Sequence, residues 1–393
     1  MRRALAVAAC LAPAALAGAA DAPSGVKSIR VALAQQAPAV AVQVQGPFVI
    51  RAVGTGVALR DGSRLEETAV RPDARGLRVG DDVVPSEAVR VEPARPGTLW
   101  LDGRHLRGAL EITRQSDTSL RVVNDVDLED YLRGVLSKEA PDHWPQEVLK
   151  AIAISARTYA VYRRLTRAEQ PYDVTGDVMS QDYGGKTSEK RATSLAVKAS
   201  RGWILTWQGA VFPAFYHSTC GGLTEHARVM GSFDLPPLSG GVLCEFCAGS
   251  PFFRWQRRLS LADLAWALKK SPHGSVGAVR DLRVTARTPS GRVSTIEIAG
   301  ATGTRRLSGY DFRAMFGFEE LRSLKLAIRR AGDTFVVDGQ GWGHGVGMCQ
   351  WGAAELARRG WFAEDILALY YPQAELVQLH EIGESTLTAI GGS

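Results

Sequence analysis

From Val26 to about Pro93, apolar and polar residues alternate in short runs: Val40-x-Val42-x-Val44, Phe48-x-Ile50, Gly76-Leu77-Arg78-Val79 and Val89-Arg90-Val91. Glycine and proline punctuate the runs, so the pattern predicts short strands in a small β-rich domain. Glu92-Pro93-Ala94-Arg95-Pro96-Gly97 reads as a linker. Strands continue at Leu99-Trp100-Leu101, Leu110-Glu111-Ile112 and Leu120-Arg121-Val122-Val123, and then the period changes. Leu128, Tyr131, Leu132 and Val135 recur at helical spacing, with Asp125 or Asp127 available as a cap. Pro141 ends that helix at or before Ala140, because proline disfavours the α region in the residue before it. Pro145 suits the first turn of a second helix. There Val148, Leu149, Ile152, Ala156, Tyr159 and Ala160 form one apolar arc, and Lys150 and Arg157 project together from roughly the opposite face.

Beyond the helices, Asp173–Gly185 is a turn-rich loop and Ala192–Ser200 a short helix. Strands follow at Trp203–Trp207 and Phe212–Tyr216. Pro289-Ser290-Gly291 between two alternating runs predicts a hairpin. Tyr310–Phe316 reads as a helix, Thr334–Val337 as a strand and Ala353–Arg359 as a last helix. The expected class is α+β. It divides into a leader over 1–20, a β-rich domain over 21–96, a mixed strand and helix domain over 97–379, and a flexible tail over 380–393.

Composition changes this picture little, except at the N-terminus. A chain of 393 residues with 45% hydrophobic content can bury a full core. Arg2 and Arg3, the apolar run Ala4–Leu16 and the small residues Ala17–Ala20 read as a secretory signal. Val7-Ala8-Ala9-Cys10 resembles a lipoprotein box, but only six residues separate Arg3 from Cys10, so cleavage near Ala20 is preferred over anchoring at Cys10. The later sequence holds no run of membrane-span length, so the mature chain is expected to be exported and periplasmic or wall-associated. The net charge of +6 comes from scattered residues without the stripe of a nucleic-acid binder, which argues against nucleic acid as a partner.

The chemistry concentrates in three places. Glu139 closes a helix, where the negative end of the macrodipole and the neighbours Ala140, Pro141 and Trp144 disfavour its charge. A general acid working near neutrality needs such a setting, although the spacing equally fits a solvated surface glutamate. His217-x-x-Cys220 and Cys244-x-x-Cys247 offer one imidazole and three thiolates, the ligand set of a closed structural Zn2+ site. Disulfide bonding is the alternative in an exported chain. Cys349 reads as a small buried residue. Finally, Gly339, Gly341, Gly343, Gly345 and Gly347 alternate around Trp342, His344 and Val346. No G-x-G-x-x-G triplet is present, which excludes a nucleotide loop. An extended strand stripped of side chains on one face would admit another backbone or a sugar ring.

Several stretches together resemble the stage II sporulation protein D / LytB family: Val122-Val123-Asn124, Tyr131-Leu132-x-Gly134-Val135, Glu139-Ala140-Pro141, Trp144-Pro145-x-Glu147-x-Leu149-Lys150-Ala151 and Ala156-Arg157-Thr158-Tyr159-Ala160. Ser180-Gln181-x-Tyr183-x-Gly185, His217-Ser218-Thr219-Cys220-Gly221-Gly222-x-Thr224 and the glycine run through Gln350 extend the likeness. The resemblance implies a lytic transglycosylase of peptidoglycan glycan strands, with 97–379 as its catalytic domain. It implies Glu139 as the acid/base and a role in activity for Lys150 and Arg157. Ser218, Thr219, His344 and Gln350 are expected at the glycan, and zinc at His217, Cys220, Cys244 and Cys247. Ala140 stands where relatives often carry Met. The LytB side of the family implies the alternative of a non-catalytic enhancer of a wall amidase, and a wall-binding module is a third reading.

Overall fold

The computed structural model describes residues 26–177, 179–381 and 387–390. The leader over 1–20, with Cys10, lies outside the described residues. The predicted alternation becomes two sheets. One runs in the order Val174–Thr175, Ser28–Ala37, Ser119–Asp127, Ala109–Ser116, Ala88–Pro93, Phe48–Ala52, Ala58–Gly62. The other runs Arg104–Leu106, Leu99–Leu101, Val40–Val44, Leu65–Asp73, Gly76–Val79, Asp82–Val84. Val40, Val42 and Val44 point into the core, as period two requires.

The boundary expected at 96 is corrected here. Ser28–Ala37 pairs antiparallel with Ser119–Asp127 in the first sheet, and Val40–Val44 with Leu99–Leu101 in the second, so both sheets are completed from beyond the linker. Turn signals are local, whereas register is fixed by apolar faces that meet across long sequence separations.

Seven helices are present among the described residues: α1 (Leu128–Glu139), α2 (Gln146–Thr166), α3 (Arg191–Ala199), α4 (Leu261–Lys270), α5 (Gly309–Phe316), α6 (Gln350–Arg358) and α7 (Ala363–Tyr370). The Asp127 carboxylate accepts the N–H groups of Glu129 at 2.9 Å and Asp130 at 3.1 Å and so starts α1. The helix stops at Glu139, with Ala140 extended ahead of Pro141. Gly134 in α1 is required by packing: a Cβ there would meet the Tyr183 ring at 2.6 Å. Helix α2 packs against α1, α3, α6 and α7 and is buried along most of its length, the centre of the main core.

Residues 254–340 have a second core of their own, built from Leu259, Leu264, Leu268, Ile296, Ile298, Phe312, Phe335 and Val337 among others. Arg254–Ser260, Thr334–Gln340 and Leu326–Ala331 form one sheet of this insert, and Val279–Arg287, Val293–Gly300 and Gly303–Ser308 another. The predicted hairpin is the Val279–Arg287/Val293–Gly300 pair. The span 97–379 is therefore a body interrupted by a separately cored insert. In the expected flexible tail, Thr388–Ala389 is instead a strand, parallel to Ala210–Val211. No helix of the described residues is long and apolar enough to cross a membrane.

Candidate active site

Glu139 is half-buried at the C-terminal end of α1 and lines a cleft of about 580 Å3 between body and insert. Its Oε1 accepts the Asp182 N–H at 3.1 Å, and the Gln350 side chain donates to its backbone carbonyl at 3.1 Å. Burial raises its pKa to about 7, against the opposing pull of the Asp182 N–H. The Asp182 N–H is aimed by the 179–185 segment, which is tied to α1 through the Gly184 N–H to Gly134 carbonyl bond at 3.1 Å.

A polar chain lies beside this acid. The Tyr131 hydroxyl donates to Gln181 Oε1 at 2.9 Å, and Gln181 Nε2 donates to the Tyr216 oxygen at 3.0 Å. Burial holds both phenols well above their usual pKa, with the Glu139 charge adding to the rise, so both stay protonated. His344 also lines the cleft, where Nδ1 accepts the Val346 N–H at 3.0 Å. Burial, with Arg313 and Arg292 nearby, lowers its pKa to about 4, so it is neutral at pH 7. Gln181 and Tyr216 were not singled out by sequence reasoning, although both adjoin or belong to quoted motifs.

The other lining carboxylates among the described residues are Glu225 and Glu319. Glu225 is committed: it accepts the Thr288 hydroxyl at 2.5 Å, the Ser290 hydroxyl at 2.7 Å and the His226 N–H at 2.8 Å. Since Thr288 and Ser290 belong to the insert, Glu225 bolts the insert to the body. Asp142 pairs with Lys190 at 3.2 Å and does not line the cleft.

Not every expected site residue is brought together. Ser218 and Gln350 line the cleft with Glu139 and His344, while Thr219 is buried and bonded to the Ser250 hydroxyl at 2.8 Å. Lys150 pairs with Glu147 at 2.6 Å outside the cleft lining. Arg157 is a correction. Its guanidinium is fully buried and makes a two-pronged pair with Glu129 at 2.7 and 2.8 Å, with a further bond to the Trp203 carbonyl at 3.1 Å. Buried inside the helix layer, it cannot reach a ligand in the cleft. It fastens α2 to α1.

The cysteine site is also corrected in one member. The sulfur atoms of Cys220, Cys244, Cys247 and Cys349 lie within 4.8 Å of one another, all buried as free thiols. His217 is turned away: Nδ1 bonds the Val346 carbonyl at 3.1 Å and Nε2 is buried without a protein partner. Four convergent sulfurs fit a tetrahedral ion. Their surroundings fit as well, since the Cys220 N–H meets Cys349 Sγ at 3.3 Å, the Gly222 N–H meets Cys220 Sγ at 3.3 Å and the Tyr370 hydroxyl lies 3.1 Å from Cys244 Sγ. Three of these cysteines precede the insert and the fourth follows it, so the cluster pins both of its ends.

The glycine run is not an extended strand. Gly341, Gly343, Gly345 and Gly347 all have positive φ, from 68° to 109°, which L side chains rarely adopt. The expected close approach is nevertheless present: a Cβ on Gly345 would lie 2.4 Å from the Arg292 guanidinium carbon.

Residues 116–207 match the family described as stage II sporulation protein, and residues 247–347 match a domain of unknown function that coincides closely with the insert. The stage II sporulation protein D of Bacillus subtilis (strain 168) is 31% identical over 304 residues, 74% of this chain and 84% of that protein. An uncharacterized protein of Brachyspira hyodysenteriae is 30% identical over 362 residues, 91% of this chain and 94% of that one. An amidase enhancer of B. subtilis is 26% identical over 62% of this chain and 40% of its own length.

Proposed function

The chain belongs to the stage II sporulation protein D family, and from that premise we propose that it is exported and cleaves the β-1,4 bond between N-acetylmuramic acid and N-acetylglucosamine in peptidoglycan glycan strands. Glu139, protonated up to about pH 7, gives its proton to the glycosidic oxygen as the bond from muramic C1 breaks. The resulting carboxylate takes the proton of the muramic C6 hydroxyl while that oxygen bonds C1. A 1,6-anhydro end results, and no water is consumed. Tyr216, kept protonated beside Glu139, would donate to sugar or departing oxygen. Gln350 holds the backbone of Glu139, and neutral His344 and Ser218 would bind sugar hydroxyls.

The observation that carries this reading is one carboxyl in the cleft with its pKa raised to about 7, where Glu225 is already held by the Thr288 and Ser290 hydroxyls and Glu319 stands on the insert at the Tyr310 end. Ordinary glycosidases use two working carboxyls. An intramolecular attack needs one. Mass spectrometry of products from purified glycan strands tests it. We expect anhydro ends from the wild type and a loss of at least about 10²-fold with Glu139→Gln. Reducing ends would replace this mechanism with hydrolysis, and undiminished Glu139→Gln activity would end the assignment. The amidase-enhancer relative motivates a second arm: stimulation of a wall amidase by both proteins alike would favour a non-catalytic role.

Zinc is the proposed ion for the four thiols, since soft thiolates in a closed set of four select it. It would supply fold stability, with no open position for substrate. Metal analysis should find about one zinc per chain. Cys349→Ser should lose it and His217→Ala should keep it; the reverse result would restore His217 as a ligand.

A further inference from the structure

Exposed large apolar side chains are ordinary when single, but a group of them in one concavity marks a binding surface. Met179, Val229, Met230 and Tyr310 are all more than a third exposed, and all four line the cleft that holds Glu139. Three belong to the body. Tyr310 belongs to the insert, and its surroundings are built rather than incidental.

The Ser308 hydroxyl accepts the Asp311 N–H at 3.0 Å and donates to the Asp311 carboxylate at 2.7 Å, fixing the first turn of α5 on which Tyr310 stands. Gly309 seats that turn directly on the sheet, since a Cβ there would lie 2.1 Å from the Val293 carbonyl oxygen. The backbone is thus held while Tyr310 as a whole remains 50% exposed. Phe318 lies beside it, ring centroids 5.8 Å apart and planes inclined by 47°. The Arg313 guanidinium sits 4.7 Å from the Phe318 centroid and is itself immobilised by the carbonyls of Leu321, Phe318 and Arg322. Ser294, Ser308 and Glu319 complete this end of the cleft.

Two inclined rings edged by hydroxyls and a carboxylate suit a ligand with an apolar C–H face and a hydroxylated rim. A pyranose has that form. Resting on the function proposed above, we propose that Tyr310 and Phe318 form a sugar-stacking subsite of the insert. It takes a ring of the glycan strand beyond the two sugars flanking the scissile bond at Glu139. The body would then carry the chemistry, and the insert would measure the length of strand in the cleft.

The test is binding by full-length protein carrying Glu139→Gln, titrated with soluble glycan fragments of one disaccharide and of several. The parent should gain affinity with length. Tyr310→Ala should reduce that gain about tenfold, Tyr310→Trp should restore it, and Phe318→Leu should reduce it less. A general structural defect would weaken short and long fragments equally and leave their ratio intact, which would overturn the inference. A parent that binds strands without length dependence would overturn it while leaving the proposed function standing. A parent that binds no glycan of any length would remove both.

Discussion

The body that carries Glu139 holds ion pairs inside its layers, whereas the carboxylate–guanidinium pairs of the insert that carries Tyr310 face water. In the body, Arg157 and Glu129 pair inside the helix layer, and the buried Asp173 carboxylate meets Arg30 at 2.6 Å. In the insert the pairs lie outside: Arg257 with Glu320 at 2.9 Å, Arg283 with Asp281 at 2.7 Å and Arg329 with Asp338 at 3.5 Å, each about half exposed. Residues 254–340 hold 16 Arg and Lys against 8 Asp and Glu, so the positive excess of the chain resides there. A buried network fixes one geometry and turns burial into a shifted pKa. Solvated charge does neither, and suits a surface that holds a polymer by shape and screened attraction. On the proposed function, proton transfer would fall to the body and grip to the insert.

The largest expected effect probes the buried side of this contrast. Arg157→Met removes one partner of an enclosed ion pair and leaves the Glu129 carboxylate without its guanidinium, at a cost of about 3–5 kcal/mol. Denaturant unfolding should show the loss. Hydrogen exchange should place it in α1, α2 and α3, with the amides of the insert sheets opening as in the wild type. Equal acceleration in both parts would mean that body and insert form one cooperative unit, and the contrast would lose its energetic basis.

A smaller effect concerns Glu139 itself. Its folded pKa of about 7 stands above the unfolded value, so the native state binds the proton more tightly. Below about pH 4.5 both states are protonated and the group contributes nothing to pH dependence. As pH rises through the window to about 7, the unfolded chain ionises first and stability falls; above it the penalty is constant. Glu139→Gln should therefore be more stable than the wild type at pH 8 by roughly 1–3 kcal/mol, with the difference closing by pH 4. Wild-type product formation should fall about tenfold per pH unit well above 7, where the acid form is titrated away. A stability difference of the same size at both pH values would show that the carboxyl is not poised.

Both groups were visible in the sequence, but to different depths. Helical period and Pro141 placed Glu139 at a helix end, because those signals act within a few residues. The same period put Arg157 on a polar face without showing that Glu129, 28 residues earlier, waits there. Cys349 was passed over for a related reason: it joins Cys220 across 129 residues, and spacing rules for metal ligands see only the local pairs. His217 fitted the spacing yet turns toward Val346. The insert was the least legible, since its strands and helices read like those of the body; the separation into two cores and the domain match over 247–347 reveal it. The alternating glycines signalled close approach correctly, while their positive φ had no signature that an extended strand would lack.

The smallest effect tests the insert where it touches nothing in the cleft. Ser260 caps α4 in a reciprocal box: its Oγ accepts the Asp263 N–H at 3.0 Å, and the Asp263 carboxylate accepts the Ser260 N–H at 3.0 Å. Ser260→Ala leaves an orphan donor at the helix start and should cost about 1 kcal/mol. Because α4 packs on Val279–Arg287 and on α5, that loss should loosen the sheet beneath Tyr310 as well as the helix. Hydrogen exchange should therefore quicken about fivefold over 261–308. The slowest amides of α2 should be unchanged, because their opening depends on the other core. If α2 quickened equally, the contacts of Glu225 and the cysteine cluster would be transmitting stability between the walls, and the insert would be a structural part of the acid site. If only the insert responded, a cap far from the chemistry would be setting the stiffness of the surface that holds the strand.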